Sequence, residues 1–159
     1  MKIVSSSVRD TKNFGKKLAK FLRKGNILCL FGEFGSGKTV LAKGIAAGLK
    51  IKEKQVVSPS FVLLRDYKAK LEGESKKTYF YHFDFYRMGN IKEILDMGYE
   101  EFIYSDAVSV IEWADRLGKY LPKDYLEVEL FIEGRNKRLI ELKAHGKNSR
   151  DLLRKLRQQ

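Results

Sequence analysis

Residues 32–39 form a glycine-rich segment whose residue types and spacing fit phosphate binding. They read Gly-Glu-Phe-Gly-Ser-Gly-Lys-Thr and match the pattern G-x-x-x-x-G-K-[ST] at every fixed position. Glycines let such a loop curl until consecutive backbone N–H groups face a phosphate, and the following helix adds the positive end of its dipole. We expect Lys38 to bridge the β- and γ-phosphates of a nucleotide and the Thr39 hydroxyl to meet Mg²⁺. The nucleotide site predicted in this way consists of Glu33, Phe34, Gly35, Ser36, Gly37, Lys38, Thr39 and Val40.

Glu112 and Asp84 are the carboxylates that could complete such a site, which needs an acid at the end of a neighbouring strand to hold Mg²⁺ or its water shell. Glu112 ends the apolar run Val-Ser-Val-Ile, so we expect it to bind Mg²⁺. In residues 82–87, His-Phe-Asp-Phe-Tyr-Arg, the alternation of a strand puts His82, Asp84 and Tyr86 on one face. Asp84 is expected to position Mg²⁺ or the attacking water; a solvent-facing hairpin edge is the alternative.

Four other residues could take part in the same chemistry. Trp113 directly follows Glu112, so it lies either beside the nucleotide or in the core. Ser58 and Ser60 follow the glycine-rich segment after one helix and a short loop. Their hydroxyls could sense the γ-phosphate as a switch segment, and an ordinary turn is equally consistent with these residues. Arg87 could contact phosphate or pair with an acid.

The sequence favours ATP as the nucleotide, mainly by elimination. A guanine-specific site reads its base with the pattern N-K-x-D. The Asn-Lys pair at 136–137 is followed by Arg and Leu and lacks this aspartate. Residues 115–118 match D-x-x-G, which is a weak signal by itself.

The residues around the glycine-rich segment predict the strand and the helix that must position it. The short apolar run 27–31 is typical of a strand buried on both faces of a parallel sheet, and apolar residues at helical spacing follow from Val40 to Leu49. Upstream, Thr11 is the expected cap of a first helix that Gly25 terminates.

The rest of the chain predicts an α/β fold of three layers. Residues 61–67 and 78–86 indicate a hairpin, 91–97 a short helix and 107–112 a second buried strand. The sequence also predicts a second hairpin over residues 125–133 and 138–143, and a terminal helix capped by Asn148 or Ser149. We therefore expect one domain over residues 1–159 with a P-loop NTPase-like fold. Its central sheet is mainly parallel, with helices on both sides and antiparallel hairpins attached.

Composition and charge narrow the class of protein. The 159 residues carry a net charge of +12, and both ends of the chain, residues 1–24 and 134–159, are basic whereas the middle is balanced. Such charge attracts phosphate-rich or acidic partners. The alternative is that the basic residues only keep the protein soluble.

One cysteine excludes an intrachain disulfide framework. With no apolar stretch long enough for a membrane span and no secretory signal, we expect a cytoplasmic protein.

Five motifs in this order resemble one family, TsaE (also called YjeE), the small P-loop ATPase of bacterial tRNA threonylcarbamoyladenosine biosynthesis. Besides the glycine-rich segment they are Val-Ser-Pro-Ser-Phe at 57–61, His-Phe-Asp-Phe-Tyr-Arg at 82–87, Gly-Tyr-Glu-Glu-Phe at 98–102 and Val-Ile-Glu-Trp-Ala-Asp-Arg at 110–116. Each motif outside the glycine-rich segment is weak alone, and the ordered set is specific. Ser36, Val40 and Ser60 depart mildly from the family's usual residues.

The resemblance implies an ATPase that uses ATP and Mg²⁺ and works on a protein complex. Family members bind the TsaB–TsaD heterodimer, which transfers a threonylcarbamoyl group to adenosine 37 of tRNAs reading codons that begin with A. ATP hydrolysis is expected to be slow in the isolated protein and to reset that complex between turnovers. The basic N-terminus and C-terminal helix lie outside the matching motifs, and our hypothesis is that they contact TsaD or bound tRNA.

The resemblance also implies roles for individual residues. Lys38 and Thr39 take the phosphate and Mg²⁺ roles, Glu112 a Mg²⁺ role and Asp84 an essential acidic role. Trp113 corresponds to a tryptophan beside the nucleotide. Residues 58–61, including Ser58 and Ser60, correspond to the family's switch region.

Two other functions fit parts of the sequence. A small-molecule kinase acting on nucleosides or nucleotides shares the glycine-rich pattern, and residues 84–87 resemble its acid-plus-arginine acceptor motif. Against it, a kinase lid needs clustered arginines, and Arg65, Arg87 and Arg116 are dispersed. A nucleotide-gated RNA-binding module is the second alternative, which the net charge of +12 favours.

Overall fold

The computed structural model describes residues 1–56 and 63–158, which form a seven-stranded sheet with helices on both sides. The strands are β1 (Lys2–Ser5), β2 (Ile27–Phe31), β3 (Leu64–Ala69), β4 (Thr78–Asp84), β5 (Val108–Glu112), β6 (Tyr125–Ile132) and β7 (Arg138–His145). The α-helices are α1 (Val8–Ala19), α2 (Lys38–Gly48), α3 (Ile91–Asp96), α4 (Tyr99–Ile103) and α5 (Lys147–Arg157). Two 3₁₀ segments, Glu53–Gln55 and Ala114–Tyr120, connect them.

The strand order is β1-β7-β6-β2-β5-β4-β3, and the four central strands are parallel. β1, β7 and β3 are antiparallel to their neighbours. β2 therefore lies in the middle, with Leu28 opposite Val110 of β5 on one side and Leu126 of β6 on the other. The loop that follows β2 opens at the carboxyl edge of the sheet, between the ends of its two parallel neighbours. Ligands of open α/β sheets bind at this edge.

Two hydrophobic clusters, one on each face of the sheet, make up the core. One contains side chains of α1, α2 and α5, such as Leu18, Ile45 and Leu152. The other contains side chains of α3, α4 and the segment Ala114–Tyr120, such as Ile94 and Tyr99. β2 and β5 lie between the clusters, and because both of their faces are covered, β2 is a continuous apolar run and all five residues of β5 are buried, including Ser109 and Glu112. The expected three-layer α/β fold with a mainly parallel sheet is confirmed.

The first helix begins earlier than the sequence predicts. Its N-cap is Ser7, whose Oγ accepts a hydrogen bond from the Asp10 N–H at 3.0 Å, while the Asp10 carboxylate accepts from the Ser6 N–H. Thr11, the predicted cap, lies inside the helix, buried, and its hydroxyl is 2.7 Å from that of Ser5. The helix also ends at Ala19, well before the predicted terminator Gly25.

The cap of α5 comes from another part of the chain. Neither Asn148 nor Ser149 is the N-cap residue, which is Gly146. Instead, the Asp124 carboxylate accepts hydrogen bonds from the backbone N–H groups of Asn148 and Ser149 at 2.7 and 2.9 Å. Burial raises the pKa of Asp124, but these hydrogen bonds to its charged form prevail and lower it. A loop before β6 therefore fixes the start of α5.

The two predicted hairpins are present, as β3–β4 and β6–β7, and the predicted short helix is α3. Residues 61–62 of the first predicted run lie outside the described residues. β1 was not predicted, since only four residues form it and one of them is buried. Within the described part of the chain, no helix has both the length and the hydrophobicity needed to cross a membrane.

Candidate nucleotide-binding site

The glycine-rich loop joins the end of β2 to the start of α2, as its sequence predicts. Gly37 is the N-cap residue of α2 and has φ 106°, a left-handed conformation that favours glycine. Gly32 has φ 129°, and a Cβ at this position would collide with the carbonyl oxygen of Leu130 in β6. The two glycines therefore let the loop turn sharply and pack against the neighbouring strand. The helix that follows presents its free N–H groups at the loop.

Lys38 is folded back onto the loop. Its Nζ donates hydrogen bonds to the carbonyl oxygens of Gly32 at 2.6 Å and Glu33 at 2.8 Å. The same atom lies 3.8 Å from the centre of the Trp113 ring, a cation–π contact. Burial lowers the pKa of Lys38, and nearby carboxylates, led by Glu112, oppose that shift. The loop thus holds a largely desolvated cation, as a site for phosphate requires.

Thr39, Glu112 and His82 form a chain of hydrogen bonds at the end of β5. The Thr39 hydroxyl donates to Oε2 of Glu112 at 2.7 Å, and Nε2 of His82 lies 2.7 Å from Oε1 of the same carboxylate. Nδ1 of His82 is buried and has no hydrogen-bond partner among the described residues. The proton of a neutral His82 ring therefore belongs on Nε2, from which it is donated to Glu112. Both carboxylate oxygens are fixed in place.

Asp84 stands beside Glu112 at the carboxyl ends of adjacent parallel strands. The two residues are register partners of β4 and β5, and each is almost completely buried. Oδ1 of Asp84 accepts a hydrogen bond from the backbone N–H of Tyr86 at 3.0 Å. With the Thr39 hydroxyl, these side chains offer oxygen atoms only, the donor type that Mg²⁺ prefers. The residues present fit a Mg²⁺ ion that keeps several water or phosphate ligands.

A cleft of about 290 Å³ opens in front of these groups. It is lined by Phe34, Gly35, Gly37, Lys38, Thr39, Val40, Asp84, Tyr86, Glu112 and Trp113. Trp113, in a left-handed conformation with φ 58°, packs its ring 5.0 Å from that of Tyr86, which lies 5.7 Å from Phe34. A non-glycine residue held in this conformation is often part of a functional site. This row of aromatic rings forms one wall of the cleft.

Arg138, at the start of β7, supports the loop from behind. Its Nε donates to the carbonyl oxygen of Ser36 at 3.0 Å and its Nη2 to that of Gly35 at 3.1 Å. Its Nη1 donates to Gly134 and Lys137 in the turn between β6 and β7. The guanidinium group therefore connects that turn to the glycine-rich loop through two of the loop carbonyls.

The structure brings most of the predicted site residues together. The lining of the cleft includes both predicted carboxylates, Trp113 and six of the eight predicted loop residues, and the roles of all of them stay predictions. The other two contribute differently: the Glu33 side chain is exposed, and Ser36 is buried beneath the loop. Ser58 and Ser60 lie outside the described residues.

The sequence assigned no role to His82, Tyr86 or Arg138. Strand alternation did place His82 and Tyr86 on the same face as Asp84, which was the available signal for both. No local pattern marks Arg138, because its partner Ser36 is 102 positions away in the chain.

The contact between His82 and Glu112 leads to a test of how the carboxylate is held. We expect His82→Phe to lower nucleotide hydrolysis roughly tenfold or more, because a hydrogen bond to a charged group is worth about 1.5–3 kcal/mol. His82→Gln retains a donor and should recover most of the activity. The test measures turnover and the Mg²⁺ concentration for half-maximal rate in wild type and both variants. The melting temperature of each variant is the control for folding. Equal rates for wild type and His82→Phe at all Mg²⁺ concentrations contradict it.

The central parallel sheet, the strand–loop–helix unit and the carboxylates at neighbouring strand ends define an α/β protein of the P-loop class. A sequence model of one such family, described as Threonylcarbamoyl adenosine biosynthesis protein TsaE, matches residues 5–140. The chain belongs to the TsaE family.

Individual relatives cover most of the chain. The tRNA threonylcarbamoyladenosine biosynthesis protein TsaE of Treponema pallidum is 35% identical over 132 residues, which are 83% of this chain and 92% of that protein. The TsaE protein of Bacillus subtilis is 34% identical over 137 residues, 86% of this chain and 81% of its own length. The crystal structure of Bacillus subtilis YdiB superposes with a TM-score of 0.81 at 28% identity and covers 99% of this chain and 94% of its own.

Proposed function

We propose that this protein is a cytoplasmic ATPase that binds ATP with Mg²⁺ and hydrolyses it on behalf of the TsaB–TsaD complex. In this function it supports repeated transfer of the threonylcarbamoyl group to adenosine 37 of tRNAs reading ANN codons. The observation that carries the proposal is the 2.7 Å contact between Thr39 and Glu112 at the mouth of a glycine-rich loop that holds Lys38. Membership of a family named for tRNA threonylcarbamoyladenosine biosynthesis supports its place in that pathway.

The side chains of the cleft take complementary roles in this proposal. Lys38 leaves the loop carbonyls and binds the β- and γ-phosphates. Thr39 and Glu112 would hold Mg²⁺, which would neutralise charge on the phosphates. Asp84, fixed beside Glu112 by the Tyr86 N–H, orients the attacking water. Positioning and electrostatic stabilisation are the main contributions that phosphoryl transfer needs from a protein.

A protein partner is proposed to complete the site. Phe34 and Tyr86 stand at the mouth of the cleft and remain 75% and 42% exposed. Exposed aromatic side chains at the rim of a pocket are typical anchors for a protein partner. A partner that covers them excludes water from the phosphates, which strengthens every electrostatic contact inside. Slow hydrolysis by the isolated protein follows from this arrangement.

ATP hydrolysis measured with the protein alone and with added TsaB–TsaD tests the proposal. We expect a stimulation of tenfold or more, on the order of 1.4 kcal/mol of added transition-state stabilisation. Trp113 is the sole tryptophan in the chain, so its fluorescence reports nucleotide binding in the same samples. Binding without stimulation contradicts the proposal. Phosphoryl transfer to a panel of nucleosides then tests the small-molecule kinase alternative.

A further inference from the structure

The outward sides of α1 and α5 are strongly basic. Both helices pack into the same hydrophobic cluster, so their exposed side chains lie on the same side of the sheet. We call the following set of exposed residues the basic face: Arg9, Lys16, Lys17, Lys20 and Arg23 from α1 and the turn after it, and Lys147, Arg150, Arg154, Lys155 and Arg157 from α5. The two acidic residues in these segments are Asp10 and Asp151, and Asp151 pairs with Arg154 at 3.1 Å.

The basic side chains of the two helices adjoin and form concave surfaces. A recess of about 150 Å³ is lined by Arg23, which follows α1, by Lys155 of α5 and by the acidic Asp151. A second recess, of about 420 Å³, is lined by Arg150, Arg154 and Arg157 with Leu153 and Gln158. Positions 150, 154 and 157 are one turn apart, so the three guanidinium groups lie along one stripe of the helix. A concave surface with arginines suits a ligand that carries several phosphates.

Most of the net positive charge lies on this side of the molecule: residues 8–23 and 147–157 together hold 11 basic and 2 acidic side chains, which is +9 of the chain's +12. On the other side of the sheet, the region of α3 and α4 (residues 91–106) has one basic residue, Lys92, and five acidic residues. Solubility alone does not require one basic and one acidic face. Because the two kinds of charge lie on opposite faces of the sheet, a large anion attracts the protein with its basic face forward.

The chemistry of the basic face favours a nucleic-acid backbone over an acidic protein. Protein interfaces rely on aromatic and aliphatic anchors. Among residues 1–56 and 63–158, no exposed large hydrophobic side chain lies on α5, and on α1 there is one, Val8, at its first position. Guanidinium groups bind phosphate oxygens through paired N–H groups and need no apolar contact.

We propose that the basic face binds the phosphate backbone of a transfer RNA, the molecule named in the function of the family. The inference rests on the proposed place of this protein in tRNA modification, and it is independent of ATP hydrolysis. The cleft is lined by the glycine-rich loop, two carboxylates and aromatic rings, whereas the basic face consists of Lys and Arg side chains. We therefore propose separate surfaces for the nucleotide and the RNA.

Binding of a labelled, unmodified tRNA transcript, followed by fluorescence anisotropy at several salt concentrations, tests this inference. We expect the triple variant Arg150→Gln, Arg154→Gln, Arg157→Gln to bind about tenfold more weakly. The slope of log affinity against log salt should fall by about two to three, because each phosphate contact contributes about 0.7–0.9. The matched control Lys92→Gln, Lys119→Gln, Lys123→Gln loses the same charge outside the basic face and should bind within about twofold of wild type.

Four further results decide between this inference and the proposed function. Equal losses in the two triple variants, or no salt-dependent binding by wild type, overturn the RNA proposal. If the α5 variant keeps its RNA affinity but loses stimulation by TsaB–TsaD, the face docks a protein and the RNA proposal is wrong. Lys38→Ala should bind RNA like wild type, so intact RNA binding by an inactive ATPase upholds the basic face independently of hydrolysis.

Discussion

Replacing Lys38 with alanine is expected to raise the dissociation constant for ATP by roughly a hundredfold or more. Lys38 is 4% exposed and lies inside the loop, where its charge is poorly solvated, so its hydrogen bonds to a bound phosphate are expected to be strong. Two charge-assisted hydrogen bonds are worth about 3 kcal/mol, which corresponds to that factor. Quenching or enhancement of Trp113 fluorescence on titration with ATP and Mg²⁺ measures the constant.

Lys43 provides the matched control for that experiment. It is in the same helix, α2, but does not line the cleft, so Lys43→Ala removes an equal charge without touching the phosphate position. We expect its affinity for ATP to stay within a few-fold of wild type. Comparable affinities of Lys38→Ala and wild type would show that the loop does not bind phosphate in the manner proposed.

Neutralising either carboxylate of the cleft is expected to remove most hydrolysis while retaining much of the binding. Asp84→Asn keeps an oxygen that can accept from the Tyr86 N–H, so the local backbone should persist while the negative charge is lost. We expect its turnover to fall by roughly 100- to 1000-fold, the range seen when one preorganised electrostatic group is removed. The turnover of Glu112→Gln should fall by a similar factor. This variant should also need a higher Mg²⁺ concentration for half-maximal rate, because Glu112 is proposed to bind the metal.

Turnover and nucleotide affinity of these two variants are measured together, over a range of Mg²⁺ concentrations. Asp96→Asn, a neutralised exposed acid at the end of α3, is the control and should hydrolyse ATP at the wild-type rate. Normal turnover in Asp84→Asn removes Asp84 from the mechanism. An unchanged Mg²⁺ requirement in Glu112→Gln removes Glu112 from the metal site.

The parts of the fold that the sequence predicted correctly are those with strong local signals. The apolar run of β2, the spaced glycines and the helical periodicity of α2 all lie within residues 27–49 and need no distant partner. The position of Glu112 also followed from local sequence, because a carboxylate directly after a buried strand must emerge at the carboxyl edge of the sheet.

The missed features depend on tertiary contacts or on a choice between similar local signals. Ser7 and Thr11 are both suitable caps for α1, and the burial of Thr11 against Ser5 excludes it. Asp124 caps α5 from a loop far back in the sequence, which no pattern near residue 147 could show. Arg138 reaches the glycine-rich loop only because β7 folds back beside β6.

The central place of β2 determines when the nucleotide site can form during synthesis on the ribosome. Both neighbours of β2 come much later in the chain, and Gly32 packs against the carbonyl oxygen of Leu130 in the second of them. The loop therefore lacks one of its walls until Ile132 has left the exit tunnel, and long-range parallel pairing of this kind is slow. Stalled or truncated chains that end before β6 are expected to bind no ATP. Premature products of translation would then sequester no nucleotide.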